Sequence, residues 1–276
     1  TAWPPTSDGN FTGFDTELAT AVCEKLGVEP EFVEINWDTK ETELAAKSID
    51  CIWNGLTLTD DREANMACTK PYVKNAQVVV MKADADYTST ADLAGKTVVA
   101  ESGSAGETTI EEDEGLQQAD FVAKSVQTDC LMEVAAGTAD AAVLDLTLAS
   151  AMIGEGTDYA NLVIKDELNV EEYGAAFRKG SDVAAAVDTA FDELKAKGEA
   201  LWEKELGKYT LTADRKTKRT FYTSAYHAAL HPFIFQDVDG QFRGLDKNIE
   251  KAEGFTNYTV FSLWDTYRAL HPWFNL

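Results

Sequence analysis

The sequence predicts an α/β protein with a largely parallel sheet that carries its ligands at the carboxyl ends of the strands. Three observations lead there. Through residue 212, short apolar, β-branched runs alternate with stretches of helical spacing. Glycine stands where a helix should stop, as at Gly27. A chain of 276 residues at 45% hydrophobic content is also long enough for one or two domains with real cores.

The elements follow in order. Thr16 to Leu26 (TELATAVCEKL) has apolar residues at helical spacing, with Gly27 as the C-cap signal, and Pro30 to Ile35 reads as a strand. A helix over Thr39 to Lys47 precedes a strand over Ile49 to Trp53. Gln77 to Lys82 and Lys96 to Ala100 are β-branched strands, Ala105 to Glu114 is a helix, and Ala141 to Leu144 is another short buried run. The helical stretch Leu194 to Gly207 runs without a Pro, Gly or Ser linker into the basic segment Ala213 to Arg219.

Charge divides the chain. The formal net charge is −24, which disfavours nucleic acid and anionic lipid headgroups as partners. Residues 213 to 276 net +1, so the acidity lies wholly in the first 212 residues. The same 64 residues hold all three His and 13 of the 28 Phe, Trp and Tyr residues, so two origins are expected. Apolar runs such as Ala76 to Met81, broken by Gln77, fall far short of the roughly 20 residues needed to cross a bilayer. The chain opens at Thr1 with neither Met nor a basic-then-apolar leader, and the expectation is a removed leader or a fragment.

Nucleophilic catalysis finds little support. No His precedes His227, so the first part cannot assemble a Ser-His or Cys-His pair, and SGSAGE at Ser102 to Glu107 is not a GxSxG turn. Acids are so abundant that their spacing has no specificity for acid-base work. Cys23, Cys51, Cys68 and Cys130 show no metal spacing and are expected as buried free thiols, with Cys51 to Cys68 the one pairing to check. Neither a cofactor nor a metal is expected.

Eight segments carry a resemblance. Trp3-Pro4-Pro5, GFDTELATAVCEKLG (Gly13 to Gly27), NWD (Asn36 to Asp38), IDCIWNGLTLTDDRE (Ile49 to Glu63), KPY (Lys70 to Tyr72), GKTVVAESGSAGE (Gly95 to Glu107), ADAAVLD (Ala139 to Asp145) and YGAAFRKG (Tyr173 to Gly180) stand in one order. That order resembles the extracytoplasmic amino-acid-binding proteins of ABC importers. The resemblance implies a two-lobe, periplasmic-binding-protein-like (type II) fold. Lobe 1 would span 1–77 and 178–212 and lobe 2 would span 78–177, with hinge strands near 77–81 and 173–177. A free amino acid would be the ligand and permease subunits the partner. The chain would act as a monomer, in the periplasm or lipid-anchored at the outer face of the membrane. A ligand-sensing receptor domain on the same lobes is the alternative.

A zwitterion needs a donor fork for its carboxylate and an acceptor for its ammonium. By the resemblance, Arg62 supplies the fork; the plainer alternative is a surface Arg paired with Asp60 or Asp61. Asn54, Gly55 and Thr57 end the IWNG strand and would meet the ligand, Thr57 being otherwise an N-cap. Asp145 would take the ammonium, and its alternative is likewise an N-cap. Trp3 and Trp37 would enclose the ligand side chain, unless they are core residues like Trp53. Ser104, Ala105 and Gly106 open a helix whose N–H groups and dipole could reach the carboxylate, although Ala105 stands where a hydroxyl residue is usual. The family's first strand precedes the aromatic-Pro-Pro turn, so the sheet is expected to lack a strand, and with it an acid that reads cationic side chains. Glu41 and Glu43 are expected on a solvated helix face.

Residues 221 to 276, with SAYHAALHPFIFQDVDGQFRGLD and YTVFSLWDTYRALHPWF, resemble a stretch of the bacterial calcium-dependent exo-α-mannosidases. In the parent enzymes Trp264 and Asp265 would contact sugar, yet an acid and base across the glycosidic bond are both required for hydrolysis. Asp237, Asp239 and Asp246 suit a tight hairpin turn better than a calcium loop. The expectation for 213–276 is an α-rich, adventitious segment of two helices and a hairpin, and for the whole chain no enzyme activity; an inactive α-mannosidase remnant fused to a binding lobe is the second alternative to an importer subunit, beside the sensing domain.

Overall fold

The computed structural model describes residues 11–154, 156–230, 234–237, 240–244 and 247–259. It divides into two compact units, Thr1–Leu194 and Lys195–Leu276.

In the first unit, α1 (Phe14–Leu26) ends on Gly27 in the left-handed conformation (φ 71°), as its sequence predicts, because only glycine enters that region without a Cβ penalty. A short 3₁₀ turn, Trp37–Thr39, leads into α2 (Lys40–Ala46). Strand β1 (Cys51–Thr57), helix α3 (Asp60–Asn65), and strands β2 (Met66–Cys68) and β3 (Val73–Lys82) follow. Next come β4 (Thr97–Glu101), α4 (Ala105–Glu112), β5 (Asp120–Lys124) and α5 (Gln127–Ala136). The unit continues with β6 (Ala141–Asp145), α6 (Leu146–Met152), the 17-residue β7 (Leu162–Arg178) and the start of α7 (Val183–Leu206).

The strands form one sheet in the order β1-β7-β3-β6-β4-β5, with β2 also on β7. The expectation of a largely parallel sheet is corrected. Only β4 with β5 and β4 with β6 run parallel, whereas β7 is antiparallel to β1, β2 and β3, and β3 is antiparallel to β6. The cause is connectivity: helical crossovers return the chain to β5 and β6 in the same sense, but the long β3 and β7 come back from the opposite direction. Pro30–Ile35 is also corrected, because it joins no ladder among the described residues and Phe32 and Val33 are exposed. An apolar alternation makes a strand only where a neighbour completes its hydrogen bonds.

Two apolar clusters flank the β3-β6-β4 sheet, one holding Val78, Val80, Cys130, Leu131 and Leu144, the other Val79, Met81, Leu93, Ile110 and Val143. Because β3 is covered on both faces, its run VVVM is continuously apolar rather than alternating. Two further clusters pack α1 and α7, and α2, against β1 and β7. Trp53 packs here as expected, edge-on to Phe191 at 5.6 Å between ring centroids. All four cysteines are free thiols, but only Cys130 is buried; the other three are half-buried.

In the second unit, Asp214 caps α8 (Arg215–Ala229), its carboxylate accepting from the Thr217 amide at 2.9 Å. Trp202 meets Tyr226 edge-on, and the Tyr222 hydroxyl donates to the Tyr209 carbonyl. Strands β8 (Gln241–Arg243) and β9 (Ile249–Lys251) pair as a hairpin. Its connection falls at Gly244–Asn248, while Asp237 closes a separate turn on Gly240 just before β8. Asp239, Asp246, Trp264 and Asp265 lie outside the described residues, as does the second expected helix.

Candidate functional site

The site grows from strand register. Asn75 on β3 stands opposite Glu171 on β7, and Gln77 on β3 stands opposite Asp145 on β6. Asn75 and Gln77 are two apart on one strand, so all four side chains share one face of the sheet. A register irregularity in the β3–β7 ladder between Ala76 and Val78 leaves Gln77 without a backbone partner on β7, while on β6 it is paired with Asp145. Asn75 and Gln77 each donate from their amide nitrogens to both carboxylates, at 2.5–3.1 Å.

Asp145 ends β6 at the N-cap position of α6 but makes no capping bond. Its second oxygen accepts from the Gln127 amide at 2.6 Å, and its own N–H donates back to Gln127 at 3.1 Å. The open α6 amide of Thr147 is satisfied by Asn75 instead. Thr57 is not an N-cap either: Thr59 caps α3, and the Thr57 hydroxyl donates to Glu171 at 2.9 Å. Asn54 (φ 99°) and Gly55 (φ 68°) both occupy the left-handed half of backbone space, at the irregularity in the β1–β7 pairing. A Cβ on Gly55 would come within 4 Å of the Tyr173 ring and of Asp145. That glycine keeps the floor open.

Arg62 is only 8% exposed and pairs with neither Asp60 nor Asp61 among the described residues. Its guanidinium donates to the Thr57 carbonyl at 2.8 Å and to the Gly103 carbonyl, beside α4, at 3.2 Å. Lys40 reaches the same Gly103 carbonyl at 2.9 Å and also donates to the Trp37 carbonyl. Its ammonium lies over the Trp37 ring, 5.1 Å from the centroid. Trp37 is half-buried against the Leu44–Ile52 cluster, so its place is partly packing. Ser104 caps α4 by accepting from the Glu107 amide, Ala105 is the first helical residue, and Gly106 presses against β6. Trp3 lies outside the described residues. Glu41 is exposed, and Glu43 is half-buried and accepts from the Thr39 hydroxyl.

Electrostatics concentrate here. Burial raises the Asp145 and Glu171 carboxyls, with Asp145 repelling Glu171 further while the amides oppose both shifts. Glu101, at the end of β4, is pushed up to about 7, first by burial and then by Asp145. Lys40 is brought down to about 8 by burial and then by Arg62. Burial also lowers Arg62, although Glu41, Glu171 and Asp145 act the other way.

Arg62, Thr57, Gly55 and Asp145, which the ordered motifs single out, meet here, and beside them stand Lys40, Asn75, Gln77, Glu101, Gln127 and Glu171, which the motifs do not single out. For Asn75 and Gln77 a signal existed: two amides at period two inside an otherwise apolar strand. Glu101 ends a parallel strand, where open α/β sheets place ligands. Lys40 offers no such sign.

A sheet crossed by two long antiparallel strands, with opposed charges gathered where its parts meet, defines a two-lobe, type II binding-protein fold. The bacterial extracellular solute-binding proteins, family 3, match residues 2–205, and the chain belongs to that family. It is 30% identical over 197 residues to the arginine-binding extracellular protein ArtP of Bacillus subtilis, covering 69% of this chain and 75% of that protein. The histidine-binding periplasmic protein of Salmonella typhimurium is 30% identical over 211 residues, covering 74% and 80%. Among solved structures, holo ArgBP from T. maritima superposes with a TM-score of 0.63 at 33% identity, covering 71% of this chain and 87% of that one. An ancestral arginine-binding protein bound to arginine gives 0.65 at 29%, covering 74% and 93%. Residues 180–276 match the glycosyl hydrolase family 92 catalytic domain, less than half of the chain and overlapping the first match over 180–205.

Proposed function

We propose that this protein captures a polar amino acid with a cationic side chain between its lobes, outside the cytoplasm, and delivers it to the membrane subunits of an ABC importer. The observation that carries the proposal is the charge pattern: Asp145, Glu171 and Glu101 converge with, among the described residues, only Arg62 and Lys40 beside them. A zwitterion adds no net charge, so its side chain is left to balance the excess acid. Arg62 would take the carboxylate and Asp145 the ammonium. Thr57, Gly55, Asn54 and the N-terminus of α4 would fix the backbone, with Trp37 and Trp3 along the side chain and Glu101 and Glu171 toward its cation. Lobe 1 over 1–77 and 178–212, and lobe 2 over 78–177, would close about hinges near 77–81 and 173–177. The arginine- and histidine-binding names of the relatives support the same ligand class.

The tail from 213 to 276 is read as a mannosidase-like piece without catalytic work, joined adventitiously. Glycoside hydrolysis needs an acid and a base across one bond, and the parent enzymes carry them on segments outside this stretch.

Calorimetry of the full chain against the twenty amino acids is expected to give tight binding to arginine or a similar cation. Arg62→Ala should weaken it by about 2–5 kcal/mol, because an unpaired buried carboxylate remains. Binding to none of the twenty, or an unaltered affinity in Arg62→Ala, would reject the assignment.

A further inference from the structure

Lys40 and Arg62 are both buried cations, at 4% and 8% exposure, and among the described residues their side chains donate only to carbonyl oxygens. Among the described residues neither has a carboxylate within ion-pair distance. Both donate to the single carbonyl of Gly103, so the two groups lie no farther apart than those bonds laid end to end. A carbonyl dipole neutralises neither charge, and two desolvated cations repel. Among the described residues the pair therefore lacks an anion, of a size that spans two converging donors. Gly103 also admits no larger occupant: at φ 69°, a Cβ there would meet the Asp38 backbone at 3.0 Å.

We propose that Lys40 is a second carboxylate-binding residue, so that the α-carboxylate of the amino acid is held by Lys40 and Arg62 together, on the side of the cleft closed by Gly103. This rests on the amino-acid reading above and adds to it one residue and one geometry. A carboxylate has two oxygens, and one can accept from each cation, displacing the shared carbonyl from at least one of them. The surroundings permit it. Facing Lys40 are Arg62 from α3, Asp38 and Glu41 from its own turn and helix, Glu101 from β4, and the Trp37 ring. Of these the acids favour its charged form and Arg62 opposes it, and burial is the dominant influence, lowering it to about 8.

A bound carboxylate must restore the charged ammonium. Around pH 8 to 9, binding should then take up a proton at Lys40, a signature that a lysine merely bracing the fold would not give. The experiment titrates the full chain with L-arginine near that pH in two buffers of different ionisation enthalpy, and compares Lys40→Arg and Lys40→Met. Wild type should take up more protons than Lys40→Arg, whose guanidinium stays charged, while the ligand's own ammonium contributes equally to both. Lys40→Met should bind about ten- to a hundredfold more weakly, and Lys40→Arg should recover part of that loss. Equal proton uptake in wild type and Lys40→Arg, or an undiminished affinity in Lys40→Met, overturns the role of Lys40 and leaves the amino-acid reading standing. If wild type binds none of the twenty amino acids, both fall.

Discussion

Gly106 and Gly198 are both helical glycines, and the structure assigns opposite signs to the same substitution at each. At Gly106, a Cβ would stand 2.8 Å from the Val143 carbonyl oxygen, 3.1 Å from Gln77 Oε1 and 3.3 Å from Ser104 Oγ. The first of these is backbone of a buried strand and cannot swing aside. Alanine is favoured over glycine in a helix by about 1 kcal/mol. Overpacking a tight contact costs about 1–3 kcal/mol, and with a backbone oxygen as the obstacle the upper half applies. The net effect of Gly106→Ala is a loss of about 1–2 kcal/mol, or about 2–8 °C in melting temperature for a protein of this size. At Gly198, inside α7, nothing lies within 4 Å of the added methyl. Gly198→Ala should therefore stabilise by about 0.5–1 kcal/mol. Scanning calorimetry of the three proteins checks both. A Gly106→Ala protein that melts at or above the wild-type temperature would show that α4 and β6 are not as close as described.

Three other outcomes are expected. Because the Glu101 carboxyl is raised from 4.5 to about 7, the stability it contributes is complete below pH 4.5 and is lost as pH rises through about 7. A cationic ligand favours its carboxylate, so L-arginine should bind more tightly as pH rises from about 5.5 to 7.5, and a Glu101→Gln protein with the same slope would refute this. Thr57→Val removes the donor to Glu171 while keeping the shape, and should weaken L-arginine binding by about 0.5–1.5 kcal/mol in calorimetry. A chain ending at Thr212 should keep its amino-acid affinity, and mannose release from an aryl mannoside by the full chain above that shortened one would overturn the non-catalytic view of the tail.

Much of this protein is local and was legible in the sequence. Helix α1 and its stop at Gly27 follow from periodicity and from the one residue that tolerates the left-handed cap. The continuous apolar run of β3 and the short buried β6 declare a covered sheet, and the ordered motifs place Arg62 and Asp145. Strand direction was not legible, because alternating strand and helix look alike whether the chain returns parallel or antiparallel. Pro30–Ile35 has a strand's composition but no ladder partner among the described residues, and composition alone cannot supply one. The pairing of Asn75 with Glu171 and of Gln77 with Asp145 joins residues about 70 to 100 positions apart through register, which only the assembled sheet sets. Lys40 is the clearest case. In the sequence it is one of 24 basic residues on a short polar helix, and a lysine there is ordinarily solvated. Only the approach of Gly103 from the far side of the fold buries its ammonium beside Arg62 and turns a surface charge into part of the site.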